Sequence, residues 1–121
     1  MVKKILVADD EQEIIDLLKC TLEMGGYKVS SISHGGQIPL VLKNEKPDLL
    51  ILDVLLPGLD GYSLQLYLSQ QEDTKDLPVI VASALPAARA LFEKFPQVKM
   101  FFDKPFEPEL LLKKVKEILG E

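Results

Sequence analysis

Five side chains able to act together on one reactant stand at the ends of short apolar runs. Asp9 and Asp10 close ILVADD, Asp53 closes LLILD, Ser83 closes VIVAS, and Lys104 follows MFFD and precedes a proline. A buried strand has no reason of its own to end in crowded negative charge. Each residue has a plainer reading when taken alone. Asp10 with Glu13 three residues on has the form of a capping box for the helix that follows, Asp53 suits a turn, and Lys104 suits a surface. Together, three carboxylates brought into one crevice repel strongly without a counter-ion. They also form the oxygen set that a hard dication such as Mg²⁺ accepts, with positions left for water and phosphoryl oxygens. The capping and metal readings of Asp10 are compatible.

Such a crevice requires strands that run side by side and end at one rim. KKILVAD, YKVSSIS, DLLILDV, PVIVAS and VKMFFD are five β-branched or apolar runs separated by longer segments of helical period. That alternation predicts an α/β fold, a parallel sheet covered on both faces. The first, third and fourth runs are nearly continuous in apolar residues, as central strands are, so the second and fifth belong nearer the edges. In an open sheet of this kind ligands bind beyond the carboxyl ends of the strands, where all five side chains are expected.

The helices follow from period and punctuation. Ile14, Ile15, Leu18 and Leu22 lie at helical spacing before Gly25-Gly26. Residues 37–46 form a second helix with Pro39 in its first turn and Lys46-Pro47 as its end. DGYSLQLYLSQQ fits both alternation and helical period, and its length and Gln-rich end favour helix. Residues 87–95 open after Pro86 and cannot continue past Pro96. In the last helix Leu110, Leu111, Val115, Ile118 and Leu119 make an apolar stripe opposite Lys113, Lys116 and Glu117.

At 121 residues, 47% apolar and 27% charged, the chain reads as one globular domain, residues 1–121, with no linker or repeat. No apolar run approaches the ~20 residues that cross a bilayer, and MVKKILVADD reaches acidic residues too soon for a signal-peptide core. No membrane association and a cytoplasmic location are expected. The net charge of −5 argues against direct nucleic-acid binding, which rests on clustered Lys and Arg. Cys20 is alone, which excludes an internal disulfide and suggests a half-buried structural thiol. His34 is also alone, in a polar SISHGGQ turn, and reads as a solvated loop side chain without a role.

The acidic pair after LVA, the stretch DVLLPGLDG from Asp53 to Gly61, the Ser83-Ala84 end of the fourth run, and Lys104-Pro105-Phe106 resemble, in order and over essentially the whole chain, the receiver domain of two-component response regulators. The resemblance implies a doubly wound, flavodoxin-like sheet of five parallel strands in order 2-1-3-4-5 with five flanking helices. It implies that Asp53 is the phosphoacceptor for a sensor histidine kinase or phosphotransfer protein, in a reaction that needs Mg²⁺. Asp10 would be a direct metal ligand, Asp9 would act through metal-bound water, and the main-chain carbonyl of Leu55 would add a ligand. Ser83 matches the switch hydroxyl, Lys104 the lysine that pairs with the phosphoryl group, and Phe101 the switch aromatic. The Lys104-Pro105 bond is expected to be cis. The protein would then be no enzyme in the ordinary sense but a switch that assists its own phosphorylation and dephosphorylation. It would signal through the face formed by the fourth helix, fifth strand and fifth helix. That face would act on a downstream protein or an output domain absent from this sequence, with a phosphorylation-dependent homodimer as a further expectation. As the sequence closes after the fifth helix, either a stand-alone receiver or a piece of a larger regulator is expected.

Some positions depart from the family pattern. Phe95-Pro96 and Gln97-Val98 stand where receivers commonly place Gly-Ala ahead of the switch aromatic, and Leu56 and Leu59 stand where methionines are common. Phe101 lacks the hydroxyl of the commoner Tyr. These departures are expected on the output face, where Leu91, Phe92, Phe95, Met100 and Phe106 would supply apolar contacts and alter partner choice. Three other readings compete. A Mg²⁺-dependent aspartyl phosphotransferase or phosphatase would want a second acid and a cap. A flavodoxin-like cofactor binder would want a hydroxyl- and glycine-rich loop where ADDEQE stands. A receiver fold that only docks would have no need of the full set Asp9, Asp10, Asp53, Ser83 and Lys104.

Overall fold

The structure, a computed structural model, describes residues 2–58 and 60–120. Five parallel strands, β1 (Lys4–Ala8), β2 (Lys28–Ile32), β3 (Leu49–Leu52), β4 (Val79–Ser83) and β5 (Val98–Asp103), form one sheet in order β2-β1-β3-β4-β5. The nearly all-apolar strands are the central three, as their composition predicts. The helices are α1 (Gln12–Met24), α2 (Ile38–Glu45), α3 (Gly61–Gln70), α4 (Ala88–Phe92) and α5 (Pro108–Leu119). No helix among the described residues is long and apolar enough to cross a membrane.

Strand side chains alternate between faces, and that parity assigns the helices. Ile5, Val7, Ile51, Ile80, Ala82 and Phe102 point to one face, under Ile15, Leu18 and Leu22 of α1 and Leu111 and Val115 of α5. Leu6, Ala8, Leu50, Leu52, Val79, Val81 and Phe101 point to the other, under side chains of α2, α3 and α4. Full burial of each Val, Leu, Ile or Phe among them contributes about 1.5–3 kcal/mol. A one-residue slip in any central strand would exchange the two cores, so the register that brings the strand ends to one rim is strongly fixed.

Several local expectations need correction. The N-cap of α1 is Glu11, with no side-chain cap bond, so Asp10 and Glu13 make no capping box. The Asp9 carboxylate takes the Glu11 N–H at 2.9 Å, and the helix starts later. Cys20 is exposed, because the turn that buries Leu18 and Leu22 directs position 20 outward. Leu110 is likewise 46% exposed and lies off the buried stripe of α5. α4 covers Ala88–Phe92 rather than residues 87–95; the segment before Pro96 closes instead through Phe95 N–H to the Phe92 carbonyl. Phe92 and Phe95 face inward at 2% and 8% exposure and pack with Tyr62, so they are no part of an output surface. Gln97, too, is buried. Leu56 is buried in the α2–α3–α4 core, whereas Leu59 lies outside the described residues. α3 resolves the ambiguous segment as helix, capped by Asp60, whose carboxylate accepts from Tyr62 and Ser63 N–H.

Candidate functional site

Parallel pairing brings the ends of β1, β3, β4 and β5 to one rim. Asp53 N–H donates to the Ala8 carbonyl at 2.9 Å and Lys104 N–H to the Ser83 carbonyl at 3.0 Å, which extends the ladder one residue past each strand. Asp9 and Asp53 therefore leave the sheet side by side. The chain after Asp53 turns sharply into α3, and Gly61 is what permits it: a β-carbon there would press on Val54 Cβ and the Val54 carbonyl, both at 2.9 Å.

Lys104 closes the cluster. Its ammonium donates to Asp9 Oδ2 at 2.7 Å, Asp53 Oδ2 at 2.9 Å and Glu11 Oε1 at 2.9 Å. The three side chains at the centre are nearly sealed from water, at 8% exposure for Lys104, 4% for Asp9 and 5% for Asp53. The other carboxylate oxygens are also held. Asp9 Oδ1 accepts from Glu11 N–H and Asp53 Oδ1 from Leu55 N–H, each at 2.9 Å. These turns fix the planes of both carboxylates.

The electrostatics are those of an excess of negative charge in a dry site. Burial lifts the Asp9 carboxyl above its ordinary 3.8, against the pull of Lys104 and the Glu11 N–H. For Lys104, burial favours loss of the proton, but the bonds to Asp9, Glu11 and Asp53 outweigh it and hold the ammonium well above its ordinary 10.5. Asp9, Asp10, Glu11 and Asp53 place carboxylate oxygens within 4.8 Å of one another, with Asp10 and Glu11 exposed. Four carboxylates against one ammonium leave the site short of positive charge, and oxygens so grouped suit a hard cation.

The sequence-predicted set is thus brought together in large part. Asp9, Asp10, Asp53 and Lys104 meet, and Ser83 stands at the end of the adjoining strand, fully buried, with its Oγ accepting from Leu85 N–H at 3.1 Å. Leu55 lies in the turn after Asp53. Phe101 is 6% exposed and sits in the α2–α3–α4 core. Lys104-Pro105 is cis.

Other side chains in contact with these residues or with the turns near them are not announced by the sequence. Glu11, visible only as one more acid in ADDEQE, is the third partner of Lys104. Arg89 covers Phe101 with its guanidinium 4.8 Å from the ring centroid, reaches the Phe101 carbonyl at 3.5 Å, and pairs with Asp103 at 3.6 Å. No local pattern announces that contact between α4 and β5. His34 has a role after all, its Nδ1 accepting from Gly36 N–H at 3.2 Å at the start of the turn that leads into α2.

Residues 5–116 match the family model described as the response regulator receiver domain. The chain is 39% identical over 123 residues to the alkaline phosphatase synthesis transcriptional regulatory protein PhoP of Bacillus subtilis, covering 98% of this chain and 49% of that protein. It is 28% identical to protein PilH of Pseudomonas aeruginosa, covering 97% of this chain and 98% of that protein. A putative response regulator from Chloroflexus aurantiacus superposes over 100% of both chains with a TM-score of 0.89 and 32% identity. The chain spans about half the length of the curated relatives first matched, PhoP among them.

Proposed function

The chain belongs to the response regulator receiver domain family, and on that premise we propose that residues 1–121 form a single cytoplasmic receiver that takes a phosphoryl group on Asp53. The donor would be a phosphohistidine on a sensor histidine kinase or phosphotransfer protein. The observation that carries the reading is the three-way contact of Lys104 with Asp9, Asp53 and Glu11 at 2.7–2.9 Å. It supports the reading because the Lys104 ammonium lies beside an Asp53 carboxylate whose second oxygen accepts from Leu55 N–H.

The donor set fits Mg²⁺, since hard carboxylate oxygens converge and the site is deficient in positive charge. Asp10 and Asp53 would hold the ion directly, Asp9 through water, and the Leu55 carbonyl would complete the protein's share. When bound, the dication supplies charge neutralisation for the oxygens of the transferring group.

The chain's own residues do the rest. An Asp53 carboxylate oxygen attacks phosphorus in line, the new O–P bond forms as the P–N bond to the donor imidazole breaks, and the electron pair leaves on the imidazole nitrogen. No proton need leave Asp53, whose carboxylate is already the nucleophile. Lys104 exchanges its Asp53 Oδ2 contact for a phosphoryl oxygen, so positive charge meets the group at the point where negative charge arrives. The acyl phosphate adds about two negative charges and strong acceptor oxygens. Ser83 answers by giving up its bond from Leu85 N–H and donating to the phosphoryl group. Phe101 then moves into the space released, drawing on the Arg89 contact and altering the α4–β5–α5 face. A downstream partner, an output domain or a second copy of the chain would read that face.

Incubation with acetyl phosphate, with and without Mg²⁺, followed by intact-mass measurement tests this directly. A gain of one phosphoryl group that requires the metal and vanishes in Asp53→Asn is expected. Unchanged mass under every condition would leave the fold as a docking module and sink the proposal.

A further inference from the structure

At the rim opposite Asp53, between the C-terminal ends of α2 and α3, lies a cavity of about 720 Å³ that the phosphorylation chemistry does not use. Its size falls in the range of about 300–1,000 Å³ usual for small-molecule sites. Pro39 and Leu77, both partly exposed, give it apolar walls with the buried Leu42 and Leu68 behind them, and Tyr67, 46% exposed, presents an aromatic ring beside them. Two lysines line the same space, Lys43 in the last turn of α2 and Lys46 just beyond it. Among the described residues neither forms an ion pair, and Asp73 is the one acidic side chain on the walls. Lys46 is also held at φ 48°, the one non-glycine residue described with positive φ, where Gly or Asn would be cheaper. Partly exposed apolar walls, an aromatic ring and two ammonium groups against one carboxylate suit an amphiphilic anion.

We propose that this cavity binds a small aromatic carboxylate, and that its occupancy is sensed at the start of β5. The link is Gln97. This buried side chain donates from Nε2 to the carbonyls of Thr74 at 2.9 Å and Leu77 at 2.8 Å, both residues of the cavity wall. Its Oε1 accepts from Gln65 of α3 at 2.8 Å, and its own carbonyl accepts from Val79 N–H at 2.8 Å. A ligand seated against Thr74 and Leu77 therefore presses on the residue that joins α4 to β5. The site stands apart from Asp53, so the inference goes beyond the proposed phosphoryl switch and survives if that switch fails.

Amide NMR of the full chain titrated with naphthoate tests it, with naphthalenemethanol, naphthylmethylamine and inorganic phosphate as comparators. Saturable shifts confined to residues 39–47 and 67–77 and to the Gln97 side-chain amide are expected, with a Kd at or below about 1 mM. The neutral alcohol should bind about ten-fold more weakly, the amine more weakly still, and phosphate alone should not saturate. Lys43→Gln with Lys46→Gly should lower naphthoate affinity about ten-fold or more. Glycine is the residue that the backbone at 46 prefers, so this variant keeps the fold, and its labelling by acetyl phosphate should match the parent. Absence of saturable shifts, equal affinity for acid, alcohol and amine, or an unaffected double variant would each overturn the proposal. Shifts in the cavity that leave the Gln97 amide unmoved would overturn its second half.

Discussion

Replacing Lys104 by methionine keeps the aliphatic stem and removes the ammonium from between Asp9, Asp53 and Glu11. The magnitude follows from exposure. Glu11, at 58% exposed, is a rim partner worth at most about 1 kcal/mol. Asp9 and Asp53 are at most 5% exposed, and both would be left without their cation. Removing one member of a buried ion cluster costs about 3–5 kcal/mol, because the partners stay desolvated and unpaired. Relief of the mutual repulsion is unavailable to carboxylates pinned by the Glu11 and Leu55 N–H groups. Loss of about 3–4 kcal/mol in urea unfolding at neutral pH with chelator present is therefore expected, or roughly 10–15 °C in Tm for a chain of this length. Since the folded protein raises the pKa of Lys104 above its ordinary 10.5, the contribution is fully present at neutral pH and fades only as pH rises past that value.

The same variant distinguishes a structural lysine from one that shares its partners with a metal. If Lys104 and Mg²⁺ draw on the same carboxylates, Mg²⁺ should bind Lys104→Met more tightly than the parent and restore part of the lost stability. At one hundred times its Kd a ligand adds about 2.7 kcal/mol, so the gap between parent and variant should narrow in saturating Mg²⁺. A loss under about 1 kcal/mol in chelator would show that the contacts are those of a surface pair. A gap that Mg²⁺ leaves unchanged would show that the lysine and the metal do not share ligands.

Three further perturbations address neighbouring parts of the molecule. Burial raises the Asp9 carboxyl above 3.8, so the folded form holds that proton more tightly than the unfolded chain; without divalent ions the parent should lose stability relative to Asp9→Asn as pH rises through the raised value, and parallel pH profiles in urea melts would refute this. Gly58 has φ 77°, and a β-carbon there would fall inside the His34 imidazole; Gly58→Ala should cost more than the ~1–2 kcal/mol of left-handed strain alone, and only about that much when combined with His34→Ala, as thermal melts can determine. Gln97→Leu strips partners from two backbone carbonyls and the Gln65 amide and should cost about 3 kcal/mol, whereas Gln65→Leu forfeits one bond and also removes an oxygen that has no partner among the described residues, for about 1 kcal/mol; equal costs in urea unfolding would contradict the assigned bonding.

Whether a feature was legible depended on the distance over which its cause acts. The central strands announce themselves because burial on both faces demands an unbroken apolar run, and LLIL at 49–52 has no polar residue to place anywhere else. Asp9, Asp10, Asp53 and Lys104 were legible for a related reason, since parallel strands must deliver their last residues to one rim, whatever lies between them. Cys20 lies two residues from Leu18 and Leu22, far enough round the helix to be exposed, and α4 is shorter than its flanking prolines allow, because a proline forbids helix at Phe95 without saying how far back the turn must begin. Phe92 and Phe95 show the deeper obstacle. An aromatic on a short amphipathic stretch has two faces open to it, and partners distant in sequence, Tyr62 some thirty residues earlier among them, draw both rings inward. Gln97 marks the extreme case. In sequence it is a polar residue after Phe95-Pro96, at a place where the family prefers something small, and it reads as surface. In the fold its amide serves the carbonyls of Thr74 and Leu77 and the amide of Gln65 at once, partners that no local window contains. A polar side chain is buried when long-range geometry offers enough bonds to offset desolvation. Such residues are therefore where a reading of one sequence should be expected to fail, and here one of them ties α3 and the approach to β4 to the start of the strand that carries Phe101.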